Sequence, residues 1–426
     1  MRTILSMRKL FFTIIALSSC SLVNGQSANN TETFQLNTIT TAVPFLLITP
    51  DSWAGAMGDA GVATPCNGSA IHWNPAKLGV AKNELEIDVN YTPWLKALVN
   101  DINLIYLSGY KKLDKNSSLG FGMRYFSLGL IQFTDQTGNN TTQFKPNEFS
   151  LDFAYGRKLG RYFSGGIAGR YINSNLTGNA NVQGQQTKPG RSGAVDVSWL
   201  YSNDEIKLGN TDATLGIGMN VSNIGAKISY STSTKKDFLP TNLRLGTALE
   251  LRPDQYNKFT FAVDANKLLV PSPALYDPLD ANTIVSGRDR NDLGVAAGIF
   301  GSFTDAPGYF VYDESGNVVR DDNNKPIIED GSKFKEELRE INFGTGMEWW
   351  YANQFAVRGG YFFEHVTKGD RKYLTFGLGI KYSKFALDVS YLLAVKRQSP
   401  LANTLRFSLR FIFEKLKTKT DSGSEG

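Results

Sequence analysis

The sequence predicts an all-β fold, a transmembrane β-barrel of about 14 antiparallel strands. Segments 374–382, 385–393 and 405–413 place apolar residues at every second position. In the last segment one face carries Leu405, Phe407, Leu409, Phe411 and Phe413, and the other carries Arg406, Ser408 and Arg410. Because side chains alternate faces along a strand, each segment has an apolar side and a polar or small-residue side. This pattern is typical of a barrel wall with lipid outside and a polar lumen inside.

Composition agrees with a barrel and excludes a helical membrane protein. The mean hydropathy of −0.24 is low for a membrane protein, but in a barrel the lumen and loops stay polar. After the leader, no stretch approaches the roughly 18 uninterrupted apolar residues that a spanning helix needs. The net charge of +5 does not indicate a nucleic-acid partner.

The N-terminus has the pattern of an export signal over residues 1–25. Arg2, Arg8 and Lys9 precede the apolar run 10–17, and small residues follow before Gln26, which favours cleavage before Gln26. The run 17–20 also has the pattern of a lipoprotein cleavage site, which would lipidate Cys20. Both routes remain open at this stage.

The mature chain divides into four regions. Residues 26–43 are polar and lack periodicity, which predicts a flexible arm. Residues 44–84 are rich in Gly and Ala and predict a plug in the barrel lumen, with five residues as its candidate anchors: Trp53, Met57, Trp73, Asn74 and Pro75. Residues 85–413 form the barrel, and 414–426 form a periplasmic tail.

Short and long connections alternate between the strand candidates. Links such as 383–384 are tight, whereas 127–148, 173–193, 222–242 and 267–340 are long. Short turns mark the periplasmic side, so an even strand number places both termini there and the long loops outside. If segment 293–303 were a strand, the number of strands would be odd. Its apolar spacing also suits a short helix, so we place it within the extracellular excursion 267–340.

The predicted lumen face carries equal numbers of cations and anions. These are Arg124, Arg170, Arg244, Arg358, Lys381, Arg406 and Arg410 against Asp152, Asp196, Glu250, Asp264, Glu348, Glu364 and Asp388. A selective pore favours one sign of charge, so the balance predicts internal ion pairs that hold a plug. Gly344, Gly346, Gly377 and Gly379 lie on strand faces and are expected to leave lumen volume for the plug.

No residue set in the sequence predicts catalysis, a cofactor or a metal site. His72 and His365 are the two histidines of the chain and belong to different regions, which does not suit a metal centre. A Gly-x-Ser-x-Gly elbow is absent from the sequence. We therefore expect a protein that is not an enzyme, with Cys66 as an inert thiol.

The long excursion 267–340 contains more apolar residues than a solvated loop requires. Loops of this length often carry function, and apolar residues in water indicate a partner surface. The candidates are Leu268, Leu269, Phe300, Phe303, Pro307, Tyr309, Phe310 and Phe334. Packing of these residues as a lid over the barrel mouth is the alternative.

Long motifs across the mature chain resemble the PorV (LptO) family of the Bacteroidetes type IX secretion system. They lie at 49–64, 71–78, 266–271, 302–308, 334–341, 358–364 and 403–408. The Asn74-Pro75-Ala76 element within them is shared with the wider FadL-like barrels. Residues 309–333 interrupt the pattern as an apparent insertion.

The resemblance implies a FadL-like barrel of the bacterial cell outer membrane that carries secreted proteins without catalysis. Its implied partners are the type IX translocon, the C-terminal domains of the cargo, the cell-surface attachment complex and outer-membrane lipid. The alternative function is a FadL-like transporter of hydrophobic small molecules, with residues 45–78 as a hatch.

Overall fold

Fourteen strands form a closed barrel in which each strand pairs with its neighbours along the chain and the last pairs antiparallel with the first. The computed structural model describes residues 36–96, 99, 101–134, 137–178, 181–182, 185–231, 236–396 and 399–414. The barrel strands are Leu85–Pro93, Ile102–Lys112, Ser117–Leu128, Asn147–Lys158, Phe163–Asn175, Gly190–Leu208, Thr211–Gly225, Asn242–Arg252, Asn257–Leu268, Asn342–Tyr351, Phe355–Phe363, Lys372–Tyr382, Phe385–Ala394 and Thr404–Phe413. The predicted fold class and strand number are confirmed.

The wall is inside-out relative to a soluble protein. In the last strand Leu405, Phe407 and Leu409 are exposed on the outer face, while Arg406 and Ser408 are buried on the inner face. Two-residue alternation fixes this arrangement, because a shift of one residue would turn every charge toward lipid. The predicted phase of the strand faces is therefore confirmed.

The two ends of the barrel differ in the length of their connections. One end has the turns 113–116, 159–162, 209–210, 253–256, 352–354 and 383–384. The other end has the longer connections, of which 269–341 is the longest. The predicted alternation is confirmed, and we call these the short-turn end and the long-loop end.

Several long connections contain structure of their own. The excursion after the ninth strand holds the hairpin Leu275–Asp277 and Asp280–Ser286 and the helices Val295–Gly301 and Ser332–Arg339. Segment 293–303 thus forms a helix, in agreement with its apolar spacing. Residues 310–328 reverse direction twice and are joined by three isolated antiparallel bridges: Phe310 with Ile328, Tyr312 with Val318, and Arg320 with Pro326. Among the described residues, no helix combines the length and hydropathy needed to cross a membrane.

Residues 44–84 lie inside the barrel as a compact chain of short helical turns. These are Pro44–Leu47, Ser52–Gly55, Ala70–Trp73 and Pro75–Val80. All four residues of both Ser52–Gly55 and Ala70–Trp73 are buried. The turns Ala70–Trp73 and Pro75–Val80 pack on strands of one side of the wall. The barrel interior is therefore a packed core at this level.

The chain enters the lumen from the long-loop end. The amide of Asn37 donates to Thr367 O and that of Ala42 donates to Phe238 O, both in long connections, whereas the amide of Glu84 donates to Phe413 O at the short-turn end. The segment therefore crosses the lumen before the first strand begins. Leu36, the first residue described, and Phe413 therefore lie at opposite ends of the barrel. The chain termini, which were expected on one side, lie outside the described residues.

The arm is also less free than its composition suggested. Asn37, Ala42 and Val43 are buried, because hydrogen bonds and apolar contacts with the long connections outweigh the weak local preferences of this stretch. The predicted signal peptide 1–25, with Cys20, lies outside the described residues, as do the arm up to residue 35 and the tail from residue 415.

We expect Gly360→Ala to destabilise the barrel and Gly359→Ala to leave its stability nearly unchanged. A methyl group at Gly360 would meet backbone atoms of Met57 and Gly58, whereas one at Gly359 meets Thr375 O at 3.9 Å. Overpacking typically costs about 1–3 kcal/mol. Samples of each variant are heated to increasing temperatures before gel electrophoresis. The temperature at which the band of the folded barrel disappears measures the difference. Equal temperatures for the two variants would show that the lumen segment does not pack closely against this part of the wall.

Candidate functional site

The lumen segment is tied together by two side chains of its own. Asp51 Oδ1 accepts from the Ala54 amide, and Asp51 Oδ2 accepts from the Trp73 indole at 2.7 Å. Asn74 Nδ2 donates to Val62 O at 3.1 Å and to Trp199 O of the wall at 3.1 Å. These contacts join the two halves of the segment to each other and to the barrel.

Hydrogen bonds from inward-facing wall side chains satisfy the backbone of the segment. Asp264 Oδ2 accepts from the amides of Gly61 and Val62 at 2.7 and 2.9 Å. Thr375 Oγ1 accepts from the Gly58 amide and donates to Ala56 O. Because buried backbone groups without partners are destabilising, these wall side chains fix the position of the segment.

Glycines of the wall make the close approach possible. A Cβ atom at Gly344, Gly346 or Gly377 would meet Gly58, Met57 or Ala56 of the segment. Gly379 is different, since a Cβ there would meet the Arg358 and Asp388 side chains. The expectation that Gly379 leaves volume for the plug was therefore wrong, and this glycine makes room for an ion pair.

Most buried ion pairs join neighbouring strands. Arg170 pairs with Asp152 and Asp196 of the two adjacent strands. Arg358 pairs with Glu348 of an adjacent strand at 2.7 Å and with Asp388, two strands along, at 2.6 Å. The lumen segment has a weaker ionic link to the wall, from Asp59 to Arg406 at 3.7 Å. Hydrogen bonds and packing, more than ion pairs, thus hold the segment.

The charges predicted to face the lumen are all buried except Lys381. Lys381 is half-buried because it lies next to the turn at residues 383–384. Trp53 is enclosed by two of these charges: its ring lies 5.6 Å from the guanidinium carbon of Arg358 and 4.8 Å from that of Arg410. Cation–π contacts of this kind are strongest where water is excluded.

We expect Arg358→Met to destabilise the barrel by about 3–5 kcal/mol, since removal of one partner leaves buried charges uncompensated. The change leaves Glu348 without its ionic partner, whereas Asp388 keeps Arg410 at 3.4 Å. Arg161→Met is the matched control, because it removes an arginine from an exposed pair with Glu205. Urea unfolding followed by tryptophan fluorescence measures both. A loss for Arg358→Met as small as that for the control would contradict the assignment of this pair to the packed core.

His72 lies between two arginines in the half of the lumen nearer the long-loop end. Its Nδ1 is 2.8 Å from Arg124 Nη2, and its Nε2 is 3.4 Å from Arg244 Nη1. Burial, followed by the charges of Arg124 and Arg244, lowers the pKa of His72 well below its usual value. The imidazole is therefore neutral, and its Nδ1 accepts from Arg124.

A cavity of about 400 Å³ lies above the lumen segment at the long-loop end. It is bordered by the arm at residues 38–41, by Arg244 and Trp73, and by Glu340, Lys368 and Arg371. The Arg244 guanidinium carbon is 5.0 Å from the Trp73 ring centre. The cavity thus joins the lumen segment, the wall and the long connections.

Ion pairs fasten the longest connection to the barrel. Lys267 Nζ is 2.8 Å from Glu337 and 2.7 Å from Glu340. Lys368 Nζ is 2.8 Å from Glu336 and 3.0 Å from Glu340. These buried pairs hold the helix Ser332–Arg339 over the mouth of the barrel. Burial, with a contribution from Glu340, raises the pKa of nearby Asp305 to about 6.

The residues predicted to bind a partner fall into three groups. Phe300, Phe303 and Phe334 are exposed, by 77%, 46% and 69%. Leu268 and Tyr309 are half-buried. Leu269, Pro307 and Phe310 are buried, so their side chains pack within the connection and are no longer assigned to a partner surface. Some of the candidates thus pack over the mouth and others face solvent, and the partner surface stays a prediction.

The sequence reasoning missed five exposed apolar residues of this connection: Tyr276, Leu279, Ile284, Ile327 and Leu338. Leu338 is 52% exposed and follows Phe334 by one helical turn, so the spacing of residues 334 and 338 could have identified it. Leu279 lies in the tight link between the two strands of the 275–286 hairpin and is 76% exposed. A single leucine in a turn gives no periodic signal.

The described residues offer no group of three or more side chains suited to holding a metal ion. His72 is engaged by arginines, and His365 Nδ1 contacts Thr367 in a connection at the long-loop end. The contacts described above pack the lumen segment and the long connections against the wall.

Sequence comparison decides the family. The family model described as "Type IX secretion system protein PorV" matches residues 30–275, more than half of the 426-residue chain. The chain belongs to the PorV family. It is therefore a component of the type IX secretion system and a barrel protein of the outer membrane. No protein with a curated description matches it.

Solved structures that the chain resembles include channels and transporters. They are the CymD monoaromatic hydrocarbon channel (11% identity, 87% of this chain and 99% of that chain, TM-score 0.46), the P. putida toluene transporter TodX (11%, 86% and 99%, 0.45) and a Pseudomonas aeruginosa FadL homologue (11%, 89% and 99%, 0.38). Likenesses as distant as these do not indicate what this chain carries.

Proposed function

We propose that this PorV-family barrel is a non-catalytic carrier in type IX secretion. It binds the C-terminal domain of a secreted protein at its long-loop end, receives this cargo from the translocon and passes it to the cell-surface attachment complex. The match to the PorV family over residues 30–275 carries the proposal. The exposed apolar side chains of the longest connection support a binding surface there.

The filled lumen supports a carrier over a conduit. Wall glycines and hydrogen bonds hold residues 51–64 against the strands, and the wall charges are occupied by buried pairs. A transported molecule would need these contacts to open. The alternative, a transporter of hydrophobic small molecules with residues 45–78 as a hatch, is favoured by the cavity at the long-loop end.

The position of the exposed aromatics gives the proposal its structural basis. Phe300 lies in the helix Val295–Gly301 and Phe334 in the helix Ser332–Arg339. The chain that follows the first helix is joined to the second, because the Ala306 amide donates to Glu337 Oε2 and the Tyr309 amide donates to Ser332 Oγ. A rigid base under exposed aromatic side chains suits a protein interface, in which such residues supply much of the affinity.

We expect the double variant Phe300→Asp, Phe334→Asp to recover less than a tenth of the wild-type amount of translocon and cargo in a pull-down under mild detergent. A carboxylate cannot enter an apolar interface without a partner. Leu130→Asp is the control, since Leu130 is 57% exposed in another connection at the same end. Full recovery by the double variant would remove both helices from the binding surface. Bound lipid in the lumen without any cargo association in the wild type would favour the transporter.

We further propose that the long-loop end faces the cell exterior, so that Leu36 is outside and Phe413 is periplasmic. In a Cys66→Ser background, Leu36→Cys is expected to react with a membrane-impermeant maleimide on intact cells. Asn210→Cys, in a turn at the short-turn end, is expected to react only after the outer membrane is permeabilised. Leu36 is 73% exposed, so burial does not limit its reaction. Labelling of Asn210→Cys alone on intact cells would reverse the orientation.

A further inference from the structure

Arg244 is a buried cation without an ionic partner in the part of the chain that the structure describes. Its side chain is 6% exposed and borders the 400 Å³ cavity. Its polar contacts are His72 O at 3.3 Å and, with the Asn242 amide turned to satisfy both of its groups, the Asn242 oxygen at 3.0 Å. A buried charge is normally paired with an opposite charge.

His72 does not supply the missing partner. A neutral imidazole has one ring nitrogen that accepts and one that carries hydrogen. Arg124 Nη2 donates to Nδ1 at 2.8 Å, so the hydrogen is on Nε2, the atom that faces Arg244 at 3.4 Å. Two hydrogen-bearing nitrogens meet there. Arg244 therefore presents hydrogen-bond donors that the protein leaves without a charged acceptor.

The acids that border the cavity are already engaged. Glu364 pairs with Arg371 at 2.7 Å. Glu340 pairs with Lys267 and Lys368. Asp59 accepts from the Tyr373 hydroxyl at 2.6 Å and faces Arg406 at 3.7 Å. With Glu336 and Glu337, which pair with Lys368 and Lys267, cations and anions around the cavity are equal in number. Arg244 is the cation among them that has no ion pair within the described residues.

We propose that this cavity binds an organic carboxylate, with the Arg244 guanidinium as its charged partner and the Trp73 ring beside it. The planar guanidinium matches a carboxylate in a two-point geometry. A volume of about 400 Å³ lies within the usual range for small-ligand sites. The inference does not depend on the carrier function.

The lining favours a peptide carboxyl terminus as the source of the carboxylate. Amides and hydroxyls border the cavity at Asn266, Asn342, Thr38, Thr41 and Thr49. Such groups can pair with peptide N–H and C=O groups, whereas an acyl chain would leave them unsatisfied. A fatty acid offers the same carboxylate, and its binding is separated from peptide binding by the experiment.

The test compares matched acids and amides on the purified full-length mature barrel in a non-ionic detergent. The probes are N-acetyl-tetra-alanine with a free carboxylate, the same peptide as its C-terminal amide, and octanoate. Isothermal titration calorimetry is expected to show that the acid binds at least about tenfold more tightly than the amide, as a hydrogen bond between charged groups implies. Octanoate is expected to bind more weakly than the peptide acid.

Arg244→Gln is expected to lower the affinity for the peptide acid to that for the amide, and Arg244→Lys to retain part of the difference. Arg252→Gln is the control, because Arg252 lies on the same strand at the short-turn end and pairs with Glu250. It should keep the wild-type preference. Heat-modifiable migration in gel electrophoresis verifies that each variant is folded; if Arg244→Gln does not fold, the wild-type comparison and Arg244→Lys still decide.

Equal affinities for acid and amide in the wild type, or no binding of any probe at millimolar concentration, would overturn the proposal. An acid preference that persists in Arg244→Gln would overturn the role of Arg244. Tighter binding of octanoate than of the peptide would overturn the peptide as the source. These readouts require no translocon or cargo, so failure here leaves the carrier proposal to its own test.

Discussion

The requirement that every buried backbone group find a partner determines this structure at two levels. In the wall it requires closure, because an open sheet edge in lipid would leave a row of unpaired amides and carbonyls. In the lumen it requires side chains such as Asp264 and Thr375 to satisfy the irregular backbone of residues 56–62. The inward polar face of the wall therefore acts as the hydrogen-bonding environment in which the lumen segment folds.

The same constraint explains what the sequence could and could not predict. All 14 strands were predictable, because two-residue alternation is a local property and the lipid and lumen environments act on it in opposite ways. The helix at Val295–Gly301 was indicated by a different local pattern, apolar residues three and four positions apart. Gly379 was misassigned because its neighbour is the Arg358–Asp388 pair, a contact that strand periodicity does not reveal. The burial of Pro307 and Phe310 likewise depends on tertiary packing, which composition does not report.

The sequence did not predict the direction in which the segment crosses the lumen. An even number of strands fixes the relation between the first and last strands, but it is silent on a segment that precedes them. The described chain at Leu36 lies at the long-loop end because residues 37–42 bond to connections there. A polar, aperiodic stretch gives no sign of such contacts, so its composition predicted freedom where the structure has a fixed course.

The buried arginines of the lumen differ in their pairing between the two ends of the barrel. In the short-turn half, Arg358 and Arg410 are paired with acids and enclose Trp53, which favours packing over exchange. In the half nearer the long-loop end, Arg244 has no such partner and borders the cavity. Lys368 and Glu340 border this volume and also brace the helix Ser332–Arg339. These two side chains are buried between the cavity and the helix that carries the exposed Phe334, so they would link a ligand in the cavity to a partner on that helix. Any free-energy coupling between the two would act equally in both directions.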